Sequence, residues 1–466
     1  MNRTNIFFSR IIVFIAAVCS LVCGCTSGSA QETPLPKNTP HITPAPVPTE
    51  AVSEFPTCTA PAITDAPNHD NDSETVLTAE QISAMNAAFL QFPGESAGLF
   101  DLASFKNGIS AKRLNALIAR GNLPSANGYV GQTPLSAQQR NEILNNRALD
   151  AVRNNSDVRF GFCVQRSDLR SVPFAQRVTS KPNDRFGDTL QESVVLQNEP
   201  LAVLHESADG KFLFVAAYFY VGWINSDSVA LCSSFKQWQA LLAPENDFLV
   251  VTGSSFRLCR DPYEPLVSEL ELTMGMRLSL AEKPGTVKSV RGRMSYDNYI
   301  VNVPSRAADG SLKFIEALVP ISRDVHIGYM PFTYSNVIRL ADKTRGEIYG
   351  WGGMLDARDC SALVMEIYRC FGIMLPRNTS DLAKLPEKYA ADVSSLSAEA
   401  KRETILSQPA GVILFFPGHV MIYYGSDGND LLCLSAAGKF APVQSSATQN
   451  VYTLSLIHIS EPTRRY

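Results

Sequence analysis

Apolar residues change their spacing from one stretch of the chain to the next. The first 25 residues carry Arg3 and Arg10, then an apolar run at 11–18, then Leu21-Val22-Cys23-Gly24-Cys25, the layout of an export signal. Residues 26–75 are rich in Pro, Thr, Ser and Ala with almost no large apolar side chains, so they bury no core and predict an extended spacer. Over 77–152 the spacing becomes helical. Thr78 stands where a cap meets Gln81, with Ile82, Met85 and Phe89 following on one face, and 110–120 and 136–152 repeat the texture. This predicts a small helical unit, 76–155, that stabilises the domains C-terminal to it. From 159 the runs shorten and alternate, at 160–164, 193–195, 201–205, 212–217 and 220–224, which predicts a small β-barrel over 156–240. Runs at 248–251, 266–272, 277–280 and 313–319 predict a second barrel over 241–330.

The last domain, 331–453, is organised around YGWGGMLDARDCSALVMEIYRCF at 349–371. Asp359 is a helix N-cap, and Leu363, Val364, Ile367, Tyr368 and Phe371 recur at helical spacing, so a helix is predicted from Cys360 to just before Gly372. An apolar strand at 412–416, the turn pair Pro417-Gly418 and the run from His419 to Tyr424 predict a strand that opens at His419. Ser426-Asp427-Gly428 reads as a three-residue hairpin loop, and pairing 425 with 429 sets His419 opposite Ser435.

Chemistry gathers on the same residues. A thiol in the first turn of a helix meets unpaired N–H groups and the positive end of the dipole, which favour thiolate, so Cys360 is the candidate nucleophile. Cys370 follows the helix pattern without a glycine loop or cap and reads as a buried apolar residue. Of the six histidines, 41 and 69 fall in the spacer, 205 and 326 in other units and 458 in an aberrant tail, which leaves His419 as base. Ser435 is the positional candidate for orienting its ring. Gly350, Gly352 and Gly353 let the backbone approach a ligand, and Trp351 offers a flat wall.

Tyr349-Gly350-Trp351-Gly352-Gly353, Asp359-Cys360-Ser361 and Gly418-His419-Val420, in this order and with Cys and His about sixty residues apart, resemble the NlpC-type cell-wall peptidases. The resemblance implies an α+β, papain-like catalytic domain, and Asp359 and Ser361 as cleft residues beside Trp351. Where that family carries His, Asn or Gln as third residue, this chain has Ser435. Arg166-Ser167-Asp168-Leu169-Arg170, 188–193 and Tyr220-Val221-Gly222-Trp223-Ile224 resemble the bacterial SH3-like domains that accompany such peptidases, more weakly matched in the second barrel. By resemblance the substrate is a peptidoglycan stem peptide, cut between the γ-carboxyl of D-glutamate and a diamino acid. Glu192 with Tyr218 or Tyr220 would meet the free amine of the substrate. A wall-binding protein with an inactive catalytic domain, and an acyltransferase on the same fold, are the competing classes.

Composition narrows the setting. A net charge of −4 and no basic patch interleaved with aromatics give no nucleic-acid signal. No metal-ligand spacing is present, and no cofactor is expected. Gly24 before Cys25 resembles a lipoprotein cleavage box, so Cys25 is expected to be lipidated and the protein membrane-anchored in the cell envelope, facing the wall as a monomer; plain secretion or an uncleaved anchor is the other reading. Exported cysteines can pair, and Cys163 with Cys232, which flank the first barrel, is the expected bridge. Residues 454–464 read LSLIHISEPTR, like a translated sequencing adapter, so the natural chain is expected to diverge after about Thr453 and 454–466 to be foreign.

Overall fold

The computed structural model describes residues 15–16, 74–242, 247–387, 389–416, 418–427, 430–440 and 449–459. The spacer, Cys25 and all of the leader but Ile15–Ala16 lie outside them. No helix among the described residues is long and apolar enough to cross a membrane.

The helical stretch holds α1 (Ala79–Gln91), α2 (Ala111–Ile118) and α3 (Ala137–Asn145). Thr78 and Gln81 close a reciprocal capping box on α1, and Ser110 and Ser136 cap the other two. α3 stops well short of Val152 because Ala148 turns left-handed at φ 49. These helices share no core of their own. Ile82, Met85 and Phe89 of α1 pack into the C-terminal domain, Leu114, Leu117 and Ile118 of α2 against the first sheet, and Ile143 of α3 in a small separate cluster. The N-terminal stretch therefore ties two later units together.

Seven antiparallel strands form one curled sheet: β1 (Arg159–Cys163), β2 (Ser167–Arg170), β3 (Gln191–Val195), β4 (Pro200–Glu206), β5 (Phe212–Ala217), β6 (Tyr220–Asn225) and β7 (Val229–Leu231), in the spatial order β7-β1-β4-β5-β6-β2-β3. Alternation at period two serves both faces. Phe212, Phe214 and Ala216 face α2 and α4 (Phe235–Leu241), while Leu213, Val215 and Ala217 pack toward Met365 of the C-terminal domain. The expected Cys163–Cys232 bridge is absent: both thiols are free. The register pairs Cys163 with Val229, three residues before Cys232, so the two lie about 10 Å apart along the strand, beyond disulfide reach.

The stretch 247–330 forms β8 (Phe248–Val251), β9 (Arg277–Ser279), the hairpin β10 (Asn298–Arg306) and β11 (Leu312–Pro320), and β12 (Val325–Ile327) around Leu249, Val251, Leu278, Val301 and Val319. Its sheets are short and separate rather than one continuous barrel sheet. Of the run expected at 266–272 only Glu271–Thr273 is strand, because Glu269 turns to φ 56 and breaks the extended chain.

In the C-terminal domain α5 (Tyr334–Asp342) and α6 (Cys360–Arg369) pack on a sheet of β13 (Ile413–Phe416), β14 (His419–Asp427), β15 (Asp430–Phe440) and β16 (Gln449–Ile459), antiparallel in that order, with Ile15–Ala16 parallel at the β13 edge. Leu363, Val364, Ile367 and Tyr368 of α6 meet Val420, Ile422, Leu432 and Leu434 of the sheet. Strand β16 runs through the residues read as adapter, and Leu454 is buried in the core.

Candidate active site

The helix α6 opens at Cys360, where the sequence places it. Asp359 caps it, its Oδ1 accepting from the Ala362 N–H at 2.9 Å while its Oδ2 accepts from the Gly352 N–H at 2.9 Å. The loop before the cap needs its glycines: Gly352 and Gly353 sit at φ 57 and 87, and a Cβ at Gly353 would stand 2.5 Å from Val194 of β3. The first sheet grips this loop, with Gln191 Nε2 donating to Gly352 O at 2.9 Å and Arg166 Nη2 to Gly353 O at 2.6 Å. Trp351 donates its ring N–H to Gln191 O at 3.3 Å and leaves a face 57 % exposed.

Sequence reasoning missed Arg377. Its guanidinium pairs with both oxygens of Asp359, at 2.6 and 3.0 Å, donates to Ser361 Oγ at 2.7 Å and to Ser193 Oγ of β3 at 2.8 Å, all within a buried cluster. Ser361 is therefore a strut behind the nucleophile rather than a cleft-lining group. The only sequence signal for Arg377 is its place in Pro376-Arg377-Asn378-Thr379, a break between helices, and nothing there names a partner 18 residues away.

The thiol of Cys360 is nearly buried, and burial, then the Asp359 charge, push it up to about 11; the Val420 N–H, Arg377 and Thr379 pull the other way. The lowered thiol expected from helix position alone is overruled by desolvation. His419 opens β14, and burial lowers its imidazole to about 4, against the opposing pull of Asp359. At neutral pH both groups rest uncharged. The Val420 N–H that bonds the thiol belongs to the residue after His419, so strand and helix meet at this point.

His419 Nε2 lies 2.8 Å from Ser435 Oγ, and Ser435 is 1 % exposed. The two residues come together by a register other than the one expected. Strand β14 runs to Asp427, which pairs with Asp430, and a bulge lies between Tyr423 and Gly425, so Ile422 faces Leu434 and His419 reaches Ser435 along a diagonal. A three-residue loop starting at Ser426 is excluded, because Ser426 pairs with Leu431.

A cavity of about 390 Å³ adjoins this cluster, lined by Glu192, Tyr220, Asn378 and Asp381 and, on its far side, by residues 95–121. Tyr220 donates to Glu192 at 2.6 Å, and Asn122 donates to the same carboxylate through its N–H at 3.4 Å and its side chain at 3.3 Å. Tyr220 also bonds Asn378 and feels Arg377, which joins this carboxylate to the nucleophile cluster. Tyr218 does not take part: it lies in the turn between β5 and β6, at the far end of α6, where it accepts from Arg369 Nε at 2.8 Å. His205 bonds the carbonyls of Arg147 and Ala148, and His326 bonds Gly328 O, both structural. Among the described residues no cluster of three metal-ligating side chains occurs.

Residues 346–455 match the NlpC/P60 family, and residues 179–225 match an SH3 domain of SH3b1 type. No protein of curated function matches the chain. Among solved structures, an NlpC/P60 endopeptidase from Photobacterium damselae subsp. piscicida is similar over 84 % of this chain and 88 % of its own, at 17 % identity and a TM-score of 0.62. An NlpC/P60 family protein from Bacillus cereus ATCC 10987 is similar over 64 % of this chain and 94 % of its own, at 15 % identity and a TM-score of 0.42. Domains of these two families act on the cell wall, which sets the work of the chain outside the cytoplasm.

Proposed function

From a chain that carries an NlpC/P60 cysteine peptidase domain behind an SH3b domain, we propose a peptidoglycan hydrolase that cuts stem peptides at the bond from the D-glutamate γ-carboxyl to the diamino acid. What supports this mechanism is the Val420 N–H on the Cys360 thiol, one residue along from His419, together with Ser435 Oγ 2.8 Å from the imidazole. With its proton on Nε2, donated to Ser435, the ring keeps Nδ1 as base. His419 takes the thiol proton as Sγ bonds to the carbonyl carbon; the C–N bond then breaks and the proton passes to the leaving amine. Water, deprotonated by His419, opens the thioester and returns the thiol. Backbone N–H groups at the start of α6 stabilise the oxyanion. Mass spectrometry of muropeptides after incubation tests this. A released diamino-acid product supports hydrolysis, transfer to an added amine indicates acyl transfer, and intact peptides with bound protein indicate a wall-binding role.

The carboxylate of Glu192, held by Tyr220 and Asn122, is the partner for a substrate amine, which makes the enzyme an exopeptidase on L-Ala-γ-D-Glu peptides with a free amino terminus. An ammonium at the closed end of a cleft needs such a partner, and losing one costs roughly 3 to 5 kcal/mol. Equal cleavage of free and N-acetylated peptide, or an unchanged KM in Glu192→Ala, would sink this part. Lipidation of Cys25 belongs to the same proposal, and the mass of the mature amino terminus decides it.

A further inference from the structure

The loop before the nucleophile is held in a shape that its own residues disfavour. Between Gly350 and Ala357, Gly352 (φ 57), Gly353 (φ 87), Leu355 (φ 58) and Asp356 (φ 53) all stand in the left-handed region. Glycine takes that region freely, whereas a leucine there brings its Cβ against the next carbonyl oxygen. Leu355 is 47 % exposed, so burial of its side chain does not offset the strain. Within the loop, the Gly353 N–H bonds Gly350 O and the Ala357 N–H bonds Met354 O, each at 3.1 Å, which closes two turns and leaves the carbonyls of Gly353 and Ala357 to a partner from outside.

That partner is Arg166. It sits in the short connection between β1 and β2 of the first sheet, whose strands β3 to β6 lie within the SH3b1 match. Its guanidinium donates to Gly353 O at 2.6 Å, to Asp356 Oδ1 at 2.8 Å and to Ala357 O at 3.5 Å. Asp356 is 82 % exposed, so the ion pair is screened and weak, and the short bond to Gly353 O is the stronger hold. These three bonds all go to the loop, so Arg166 braces the loop rather than its own sheet. Gln191, the other group on this loop, also bonds Asp168 and Ser193 inside the sheet, and its loss would disturb both.

The loop in turn meets the reacting end of α6. Gly352 donates to the Asp359 cap, next to Cys360, and Trp351 leans on Gln191 O. A relaxed loop withdraws both contacts, and attack on a carbonyl depends on the placement of the nucleophile to within a fraction of an ångström. We propose that Arg166 is a positioning residue for the cysteine peptidase, holding the strained 352–357 loop so that Gly352 stays on the Asp359 cap and Trp351 beside the cleft. The first sheet is then a working part of the active site and not only a wall-binding module. This rests on Cys360 as nucleophile in the proposed function and not on which peptide bond is cut.

The test is kinetic and spectroscopic, on the full chain. Trp223 and Trp238 are 0 % and 3 % exposed, so acrylamide quenching of the three tryptophans reads Trp351. Arg166→Gln should raise the quenching and lower kcat about tenfold or more, with a smaller change in KM. Arg166→Lys, which keeps the charge without the planar fork, should fall between, and it carries the test should Arg166→Gln fail to fold. Leu355→Asn in the Arg166→Gln background should recover part of kcat, because asparagine tolerates the left-handed region. Arg159→Gln, which breaks an exposed pair with Glu206 on the same sheet, should change neither readout. An unchanged kcat in the folded Arg166 variants, a lowered kcat with unchanged quenching, no recovery by Leu355→Asn, or an equal effect of Arg159→Gln would overturn the assignment. If the unaltered chain leaves stem peptides intact, the proposed function fails, and the quenching, which needs no substrate, still decides whether Arg166 sets the loop.

Discussion

The helix α6 carries the same ingredients at both ends. At its start are a buried thiol, Cys360, a buried arginine, Arg377, a carboxylate, Asp359, and a bond to the first sheet through Ser193. At its end are Cys370, Arg369, Glu199 and a bond to the first sheet through Tyr218. Burial raises both thiols, to about 11 and about 12. Buried ion pairs and a shifted thiol therefore do not mark the reactive end. What separates the ends is direction and company: Cys360 faces the open N–H groups of the first turn and the strand that begins with His419, whereas the Cys370 thiol bonds the carbonyls of Val251 and Glu366. The Gly275 N–H reaches the Cys370 thiol as the Val420 N–H reaches Cys360, so what sets the two ends apart is the strand of His419 beside the first.

The sharpest break of this comparison is deletion of each sulfur. Cys360→Ala should lower kcat/KM for the free peptide by at least about 10³-fold, while Cys370→Ala stays within a few-fold, since only the first removes the nucleophile. Comparable losses in both would mean that the chemistry has been assigned to the wrong end.

Exchanging the arginines asks whether the two ion pairs do the same job. Removing one partner of a buried pair typically costs about 3 to 5 kcal/mol, so Arg377→Met and Arg369→Met should both lower the thermal midpoint. Only Arg377→Met should also lower kcat, because Asp359 then loses the partner that holds the cap and the Gly352 loop, and Arg377→Lys should restore part of it. An unchanged kcat in folded Arg377→Met would reduce that residue to a strut.

Much of this pattern was legible in the sequence, and the boundary of what was legible has a physical cause. The Asp359 cap, the helix start at Cys360 and the strand start at His419 are local signals and appear as expected. So do the Thr78 box and the alternating runs of the first sheet. Arg377, Asn122 and Gln191 were silent because their partners lie far along the chain, where period and propensity carry no information. The Ser435 partnership was reached through a wrong register, since the bulge at Tyr424 leaves no mark that alternation can show. The thiol was misjudged because helix position is local and desolvation is not.

Titration sharpens the comparison further. A folded-state thiol raised to about 11 is protonated at neutral pH and gains anion only as pH rises, so alkylation of Cys360 by iodoacetamide should still be accelerating at pH 9 to 10, where an unburied thiol has levelled off. The imidazole of His419, lowered to about 4, stays neutral well below the ordinary histidine range, so the acid limb of kcat/KM should fall near pH 4 to 5 rather than 6.5. An alkylation rate already flat by pH 7 would show a preformed thiolate–imidazolium pair instead.

The smallest effect concerns the group that only the reactive end possesses. Ser435 holds His419 by one hydrogen bond at 2.8 Å inside a sheet, and the imidazole is already confined by the strands around it. A single neutral hydrogen bond is worth about 0.5 to 1.5 kcal/mol net, which converts to roughly two- to twelvefold in rate if the whole bond serves to orient the ring. Ser435→Ala should therefore reduce kcat by about that factor with KM unchanged, because the serine meets the ring and not the substrate. Ser435→Asn, which restores an acceptor for Nε2–H on a longer stem, should recover activity if the room beside the ring admits it, and the Cα diagonal between β14 and β15 allows that reach. A loss as large as that of Cys360→Ala would make the serine part of the proton path, and no loss at all would leave the ring held by the strand alone.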